Sequence, residues 1–315
     1  MSLTPRARLG HMLLKEAVNL WADARVGEGV ARTTRRNELL TLTRFVLHAP
    51  GDALETVSPE DVASYFTMRR VLGIKPNTLN LELYNLRAFF KHAVAMGWIA
   101  NGDNPVAYRK PMAVFEEERL RIPVEQFPDL LANAASPRDR MVLALGLYLF
   151  PRESEIRTLQ WGDWSVDGER IVVQVHKSGR TDEMPVSLEL RAELDHWWQQ
   201  WSTRHGSLPQ AGDPLVPAYT TAGEIRGPWV QPHHAVQTAL ARLGFPTTGE
   251  GCHTLRRSGA RALFDRLSAK GYDHALRVVK EMLHHSSVTT TEKYLGVSGD
   301  RLERDDLIAG RWMYS

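Results

Sequence analysis

Over the first hundred residues hydrophobic and polar positions follow a helical period. The pattern is clearest after Pro76, where Leu79, Leu83, Leu86, Phe90 and Val94 recur at spacings of four and three, marking one buried helix face. Thr78 or Asn77 can cap its first turn. Beside that face runs a second stripe, Asn80, Tyr84, Arg87 and Lys91. A solvated surface is the ordinary source of such a stripe; donors laid along a DNA groove are the functional one. Further along, Ser136-Pro137-Arg138-Asp139 is a helix start, with Ser as N-cap, Pro at N1 and an acid at N3. The apolar run behind it predicts a helix to about Phe150. Residues 169–177 alternate, with Ile171, Val173, Val175 and Lys177 on one side, which predicts a strand. Ser178-Gly179 then turns the chain and residues 180–186 return, forming a hairpin. Trp197, Trp198 and Trp201 share one amphipathic segment and are assigned to the core rather than to base stacking. After Pro217 the pattern predicts helix to the end.

Periodicity breaks between Asn104-Pro105 and Ile122-Pro123, a stretch holding Arg109-Lys110 and Glu116-Glu117-Glu118. It reads as an exposed linker. The chain thus divides into a helical domain over 1–108, a linker over 109–120 and a mixed domain over 121–315. The fold class is mainly α with a small β-sheet. A length of 315 residues with 43% apolar content suffices for two cores. The single cysteine, Cys252, excludes a disulfide scaffold and paired-cysteine metal motifs, and suits a reducing compartment. The longest near-continuous apolar run, Met141 to Phe150, is far short of the ~20 residues of a membrane span. Arg6, Arg8, Lys15 and Glu16 stand where a signal peptide needs its apolar core, so a cytoplasmic protein is expected. The net charge of +2 hides an asymmetry: residues 1–112 hold 15 Lys+Arg against 10 Asp+Glu, and the remainder 24 against 27. A basic first third fits a polyanionic partner, although such an excess is common in proteins that never touch nucleic acid.

Familiar catalytic patterns are missing: no G-x-S-x-G, no P-loop, no H-E-x-x-H, no dinucleotide fingerprint. Cys252-His253 and His284-His285 are adjacent pairs, a poor spacing for zinc, so neither metal nor cofactor is expected. What remains is a scattered set. Arg152 follows the apolar helix and has Glu155 at i+3, close enough to pair on one helical face. Lys177 lies at the hairpin turn. His253 and Arg256 stand at i, i+3. His284-His285 follows Leu283, and Tyr294 comes nine residues after His285. Singly, each has a structural explanation: an ion pair, a solvated lysine, a packed tyrosine.

Jointly, the order Arg…Lys…His-x-x-Arg…His…Tyr resembles the tyrosine recombinases, the phage integrase family. Arg152 with Glu155, Trp161 and Asp163 matches the family's first box. Lys177 in His-Lys-Ser-Gly-Arg matches its hairpin lysine, and His253-x-Leu255-Arg256 its second box. Residues 283–287 match Leu-Gly-His-Ser-Ser, and Thr290-Thr291-x-x-Tyr294 the nucleophile segment. The likeness spans 121–300, and the helical first domain looks like the family's core-binding domain. Three positions depart from the pattern. Phe150 and His284 stand where the family commonly has Gly, and Arg257 replaces a frequent His. Motif register selects Arg256 over Arg257 and His285 over His284.

The resemblance implies a site-specific recombinase acting through a 3′-phosphotyrosyl intermediate and a Holliday junction, without metal or ATP. Tyr294 is then the nucleophile, and Arg152, Arg256 and His285 hold the phosphate. His253 assists, Lys177 is the general acid, and Glu155 orients its neighbours. Asn80, Tyr84, Arg87, Lys91, Arg109 and Lys110 are candidate DNA contacts. The expected partners are double-stranded recombination sites and three further copies of the chain on paired sites, with a monomer or weak oligomer when free. Residues 301–315, with Leu302, Leu307, Ile308, Trp312 and Met313, are expected to dock on a neighbouring subunit. Two alternatives stand beside this reading: a type IB topoisomerase with the same chemistry, and an accessory DNA-binding protein that has lost catalysis.

Overall fold

The computed structural model describes residues 12–114, 119–175 and 179–297. The chain forms two compact units that divide between Glu117 and Glu118. In the first, α1 (Leu14–Gly27), α2 (Arg32–His48), α3 (Pro59–Val71) and α4 (Pro76–Ala95) surround one core. Leu79, Leu83, Leu86 and Phe90 of α4 are buried there, and Val94 is partly buried against it. The first turn of α4 is set differently from expectation: Lys75 is the N-cap, with no side-chain bond, and Pro76 occupies N1. Proline supplies both the helical φ and a position needing no donor, so neither Asn77 nor Thr78 has to cap.

The polar stripe of α4 is divided in its use. Asn80 exchanges two hydrogen bonds with the backbone of Met112, at 2.9 and 2.8 Å. Arg87 donates to the carbonyl of Arg109, and the Arg109 guanidinium lies 4.2 Å over the Phe66 ring. Residues 109–112 are therefore strapped onto the first unit rather than running free, and Asn80, Arg87 and Arg109 are engaged in holding them. Tyr84, Lys91 and Lys110 stay exposed.

A buried carboxylate ties three helices of this unit together. Glu82, 2% exposed, accepts from Arg69 at 3.1 and 2.6 Å and from the Tyr65 hydroxyl at 3.1 Å, with Arg44 at 3.4 Å. Glu82→Gln keeps the volume but strips the charge from a pair whose desolvation is already complete. Leaving the Arg69 cation unmatched should cost about 3 kcal/mol, read as an earlier urea midpoint for the unit.

The second unit opens with α5 (Phe127–Ala132) and α6 (Pro137–Tyr148), followed by α7 (Glu153–Ile156). Ser136 accepts from the Asp139 amide and Pro137 begins α6, as its sequence predicts. An antiparallel hairpin follows, β1 (Arg170–Val175) and β2 (Arg180–Pro185), with Ile171, Val173 and Val175 buried. Next come α8 (Leu188–His205), β3 (Pro217–Tyr219), β4 (Ile225–Pro228), α9 (His233–Arg242), α10 (Cys252–Ala269), α11 (Ala275–Met282) and α12 (Val288–Leu295). The β3–β4 hairpin corrects the expectation of unbroken helix after Pro217. Trp197 and Trp201 are buried, and the Trp197 indole donates to the Leu215 carbonyl at 2.9 Å, so these rings are core. The architecture is mainly helical with small antiparallel sheets, and among the described residues no helix is long and apolar enough to cross a membrane.

Helices α6 and α10 cross at two glycines, and this crossing places the site. A Cβ on Gly146 would lie 2.6 Å from Leu255, and one on Gly259 only 2.0 Å from the Leu147 carbonyl oxygen. Only hydrogen fits at either position. The close approach brings the end of α6, where Arg152 emerges, beside the turn of α10 that carries Arg256.

Candidate active site

Arg152 and Arg256 converge on one carboxylate. Glu155 is 1% exposed; its Oε1 accepts from the Arg152 guanidinium at 2.8 Å, and its Oε2 from the Arg152 backbone amide at 2.6 Å. The same Oε2 lies 3.9 Å from Arg256. A second shared anchor is the Leu283 carbonyl, which accepts from Arg152 at 3.3 Å and Arg256 at 2.5 Å. Arg256 also donates to the Phe150 carbonyl. Arg256 is 1% exposed, and burial pushes its guanidinium down to about 10, partly offset by Tyr294 and Glu155. One carboxylate and two carbonyls leave this pair of cations under-neutralised, an arrangement that receives an anion.

Both carbonyls belong to backbone that turns through the left-handed region at a residue with a side chain. Phe150 has φ 61° and His284 φ 51°, the two positions where the family commonly has Gly. At α11 the reason for that preference is visible. The His284 amide donates to Glu281 O at 2.9 Å and the His285 amide to Lys280 O at 3.1 Å, a Schellman closure whose C′ residue must be left-handed. Phe150 recovers part of its conformational cost by packing: it joins Ala260, Val279, Leu283 and Leu295 in a satellite core, with its ring over Gly259.

That satellite core seats α12 and Tyr294. The Tyr294 ring meets the His285 ring edge to face at 5.3 Å and 83°, and its hydroxyl donates to the His253 carbonyl at 3.3 Å. His285 is steadied through Nδ1 and the hydroxyl of buried Thr291, 3.1 Å apart. Burial raises the phenol above its ordinary value, while Arg256, Arg257 and Arg152 pull it back. Burial lowers His253, and Arg256, Arg257 and Arg152 push it the same way. At neutral pH this leaves the Tyr294 phenol protonated and the His253 imidazole uncharged.

Arg152, Glu155, His253, Arg256, His285 and Tyr294 are thus gathered in one place. Lys177 lies outside the described residues, as do residues 301–315. The neighbours Arg257 and His284 face other partners. Arg257 bonds Glu250 at 3.1 Å and the Leu120 carbonyl at 3.2 Å. His284 bonds Asp182 of β2 at 2.7 Å. Neither Asp182 nor Thr291 was expected to support the site from sequence, and Thr291 carried the only hint, through its motif.

The sequence matches the phage integrase family over residues 121–300 and the N-terminal domain of phage integrases over 11–112. It is 29% identical over 266 residues to tyrosine recombinase XerC of Methylobacterium sp. (strain 4-46), covering 79% of this chain and 76% of that one. It is 26% identical over 298 residues to XerC of Rhizobium meliloti (strain 1021), covering 90% and 88%. Among solved structures it is similar to a lambda integrase dimer bound to a COC′ core site, at TM-score 0.72 and 17% identity over 93% of this chain and 79% of that one. It also resembles a lambda integrase tetramer bound to a Holliday junction, at 0.71 and 18% over 90% and 78%. The Tn1549 transposon integrase in complex with transposon right end DNA matches at 0.72 and 15%, over 95% and all 100% of that chain. With the family match covering more than half the chain and the site assembled from its motif residues, the protein belongs to the phage integrase family, the tyrosine recombinases.

Proposed function

We propose that this protein is a site-specific DNA recombinase that cuts and rejoins strands through a covalent tyrosyl–DNA link. The observation that carries the reading is the convergence of Arg152 and Arg256 on Glu155 and the Leu283 carbonyl beside Tyr294. In-line attack on a phosphodiester spreads about two negative charges over the non-bridging oxygens of the phosphorane. Fixed guanidinium forks are suited to those oxygens, because they are always charged and grip two atoms at once. His285 adds a donor. Tyr294 Oη bonds to phosphorus as the P–O5′ bond breaks, giving a 3′-phosphotyrosine and a 5′-hydroxyl. The phenol starts protonated, so its proton must leave during attack; uncharged His253 or a phosphate oxygen accepts it. Lys177 supplies the proton that the departing 5′-oxygen takes up.

Energy of the broken bond is kept in the phosphotyrosine, so a 5′-hydroxyl from a partner strand reverses the step without ATP. Repeated on four strands, the exchange passes through a Holliday junction on a homotetramer, as the fold shared with the lambda integrase tetramer supports. The first unit serves as the core-binding domain, and Tyr84, Lys91 and Lys110 are its exposed candidate contacts, giving salt-dependent affinity. Because arginines provide the charge that a metal would otherwise supply, cleavage is proposed to need no metal ion. Relaxation of supercoils and an inactive accessory role are less favoured, since the relatives are recombinases and Tyr294 lies beside the two arginines.

The test begins with DNA flanking the gene, mapped by protection, and a nicked substrate built on the protected site. Lys177→Ala should cut an ordinary 5′-oxygen substrate roughly 10²–10⁴-fold more slowly and a 5′-bridging phosphorothiolate at a rate near wild type, because a thiolate leaves without a proton. Equal rescue of Arg152→Ala with none for Lys177→Ala would overturn the assignment of the acid.

A further inference from the structure

We propose that His284 is a positioning residue, latching β2 to the backbone unit that holds the two site arginines. The inference rests on the function proposed above, in which those arginines bind the reacting phosphate. A residue with a Cβ at this C′ position adopts φ 51° against its own preference, where Gly would do so freely. Something must offset that cost, and the side chain shows what does. His284 Nε2 donates to the Asp182 carboxylate at 2.7 Å, with the imidazole 15% exposed and the carboxylate 50%. Among the described residues Nδ1 has no partner, so Asp182 is the ring's polar anchor.

Asp182 sits within β2, opposite Val173 of β1. On the other side of the latch, the carbonyl joined to the His284 amide nitrogen is that of Leu283, the oxygen that accepts from both Arg152 and Arg256. Rotation of the Leu283–His284 peptide would carry that oxygen away from the guanidiniums. Three constraints oppose it: the two amide bonds closing α11, from His284 and His285, and the His284–Asp182 bond. The first two are available to any residue at 284. The third exists only because residue 284 carries an imidazole, and it spans 102 positions of chain to join the hairpin to the arginine anchor. In this protein the hairpin and the phosphate-binding arginines are therefore held in one register.

The experiment compares His284→Gly, Asp182→Ala and the double variant in the full chain, by single-turnover covalent-adduct formation at saturating protein. Relief of the left-handed strain and loss of one hydrogen bond are of similar size, so His284→Gly should melt within about 3 °C of wild type. Each single variant should form adduct roughly tenfold more slowly with unchanged DNA affinity, and the double variant no more slowly than either. Amide hydrogen exchange without DNA should quicken at 180–184 and at His284 and His285 in both single variants. Adduct formation within twofold of wild type for His284→Gly, or losses that multiply in the double variant, would overturn the latch. If the wild-type protein forms no adduct at all, the proposed function fails instead, and hydrogen exchange decides alone: unchanged exchange in Asp182→Ala sinks the latch.

Discussion

Tyr294→Phe should bind DNA as the wild type does and form no detectable covalent adduct, a loss of at least ~10⁴-fold in cleavage. The substitution removes one oxygen. Packing of the ring against His285 and the satellite core is kept. The interactions lost are a long hydrogen bond to the His253 carbonyl at 3.3 Å and one with the Arg256 guanidinium, so stability should fall by no more than about 2 kcal/mol. In the proposed function affinity for the site comes from phosphate contacts of basic side chains, which the substitution leaves in place. A gel-shift measurement and a denaturing gel on the same nicked duplex separate the two effects. Residual adduct in Tyr294→Phe would assign the nucleophile elsewhere.

Arg256→Lys should be nearly as damaging, although it conserves the charge. The guanidinium reaches the Phe150 and Leu283 carbonyls and lies 3.9 Å from Glu155. A lysine ammonium is a point charge and cannot span these positions. It leaves one carbonyl unsatisfied in a buried setting, which costs about 1–3 kcal/mol, and it removes the two-pronged grip on the phosphorane that the proposed function assigns to Arg256. Cleavage should fall by ~10²–10³, with DNA affinity changed little. Single-turnover rates at saturating protein are the measurement. A lysine variant within fivefold of wild type would show that Arg256 is structural and that the phosphate is held by other groups.

How far the site could be read in advance depended on whether its cause was local. The start of α6 is a local signal, because Ser136 and Pro137 solve the N-terminus by themselves. The β1–β2 hairpin was equally legible, since alternate burial of Ile171, Val173 and Val175 leaves a period of two. The gathering of Arg152, His253, Arg256, His285 and Tyr294 was legible through motif order alone; no periodicity connects the cap of α7, the first turns of α10, the α11–α12 connection and α12. The β3–β4 hairpin escaped because its strands have three and four residues, with prolines and a glycine among them, too little for an alternation to register. The stripe on α4 was visible, but its use was not. Asn80 and Arg87 are spent on residues 109–112, a return of the chain that only tertiary structure reveals. His284 looked like a rival in register to His285, and its partner Asp182 lies too far away in sequence for any local pattern to pair them.

In the proposed function Tyr294 forms a bond to a 3′-phosphate in a site whose charge comes from arginine. That bond is read by mass spectrometry of the protein–DNA adduct trapped on a nicked duplex in EDTA, after digestion of protein and DNA. One modified peptide should be found, containing Tyr294 joined through a phosphodiester to a nucleotide 3′ end and formed at the same rate with and without magnesium. A link to any other residue, a link to a 5′-phosphate, or adduct that appears only when magnesium is added would contradict it.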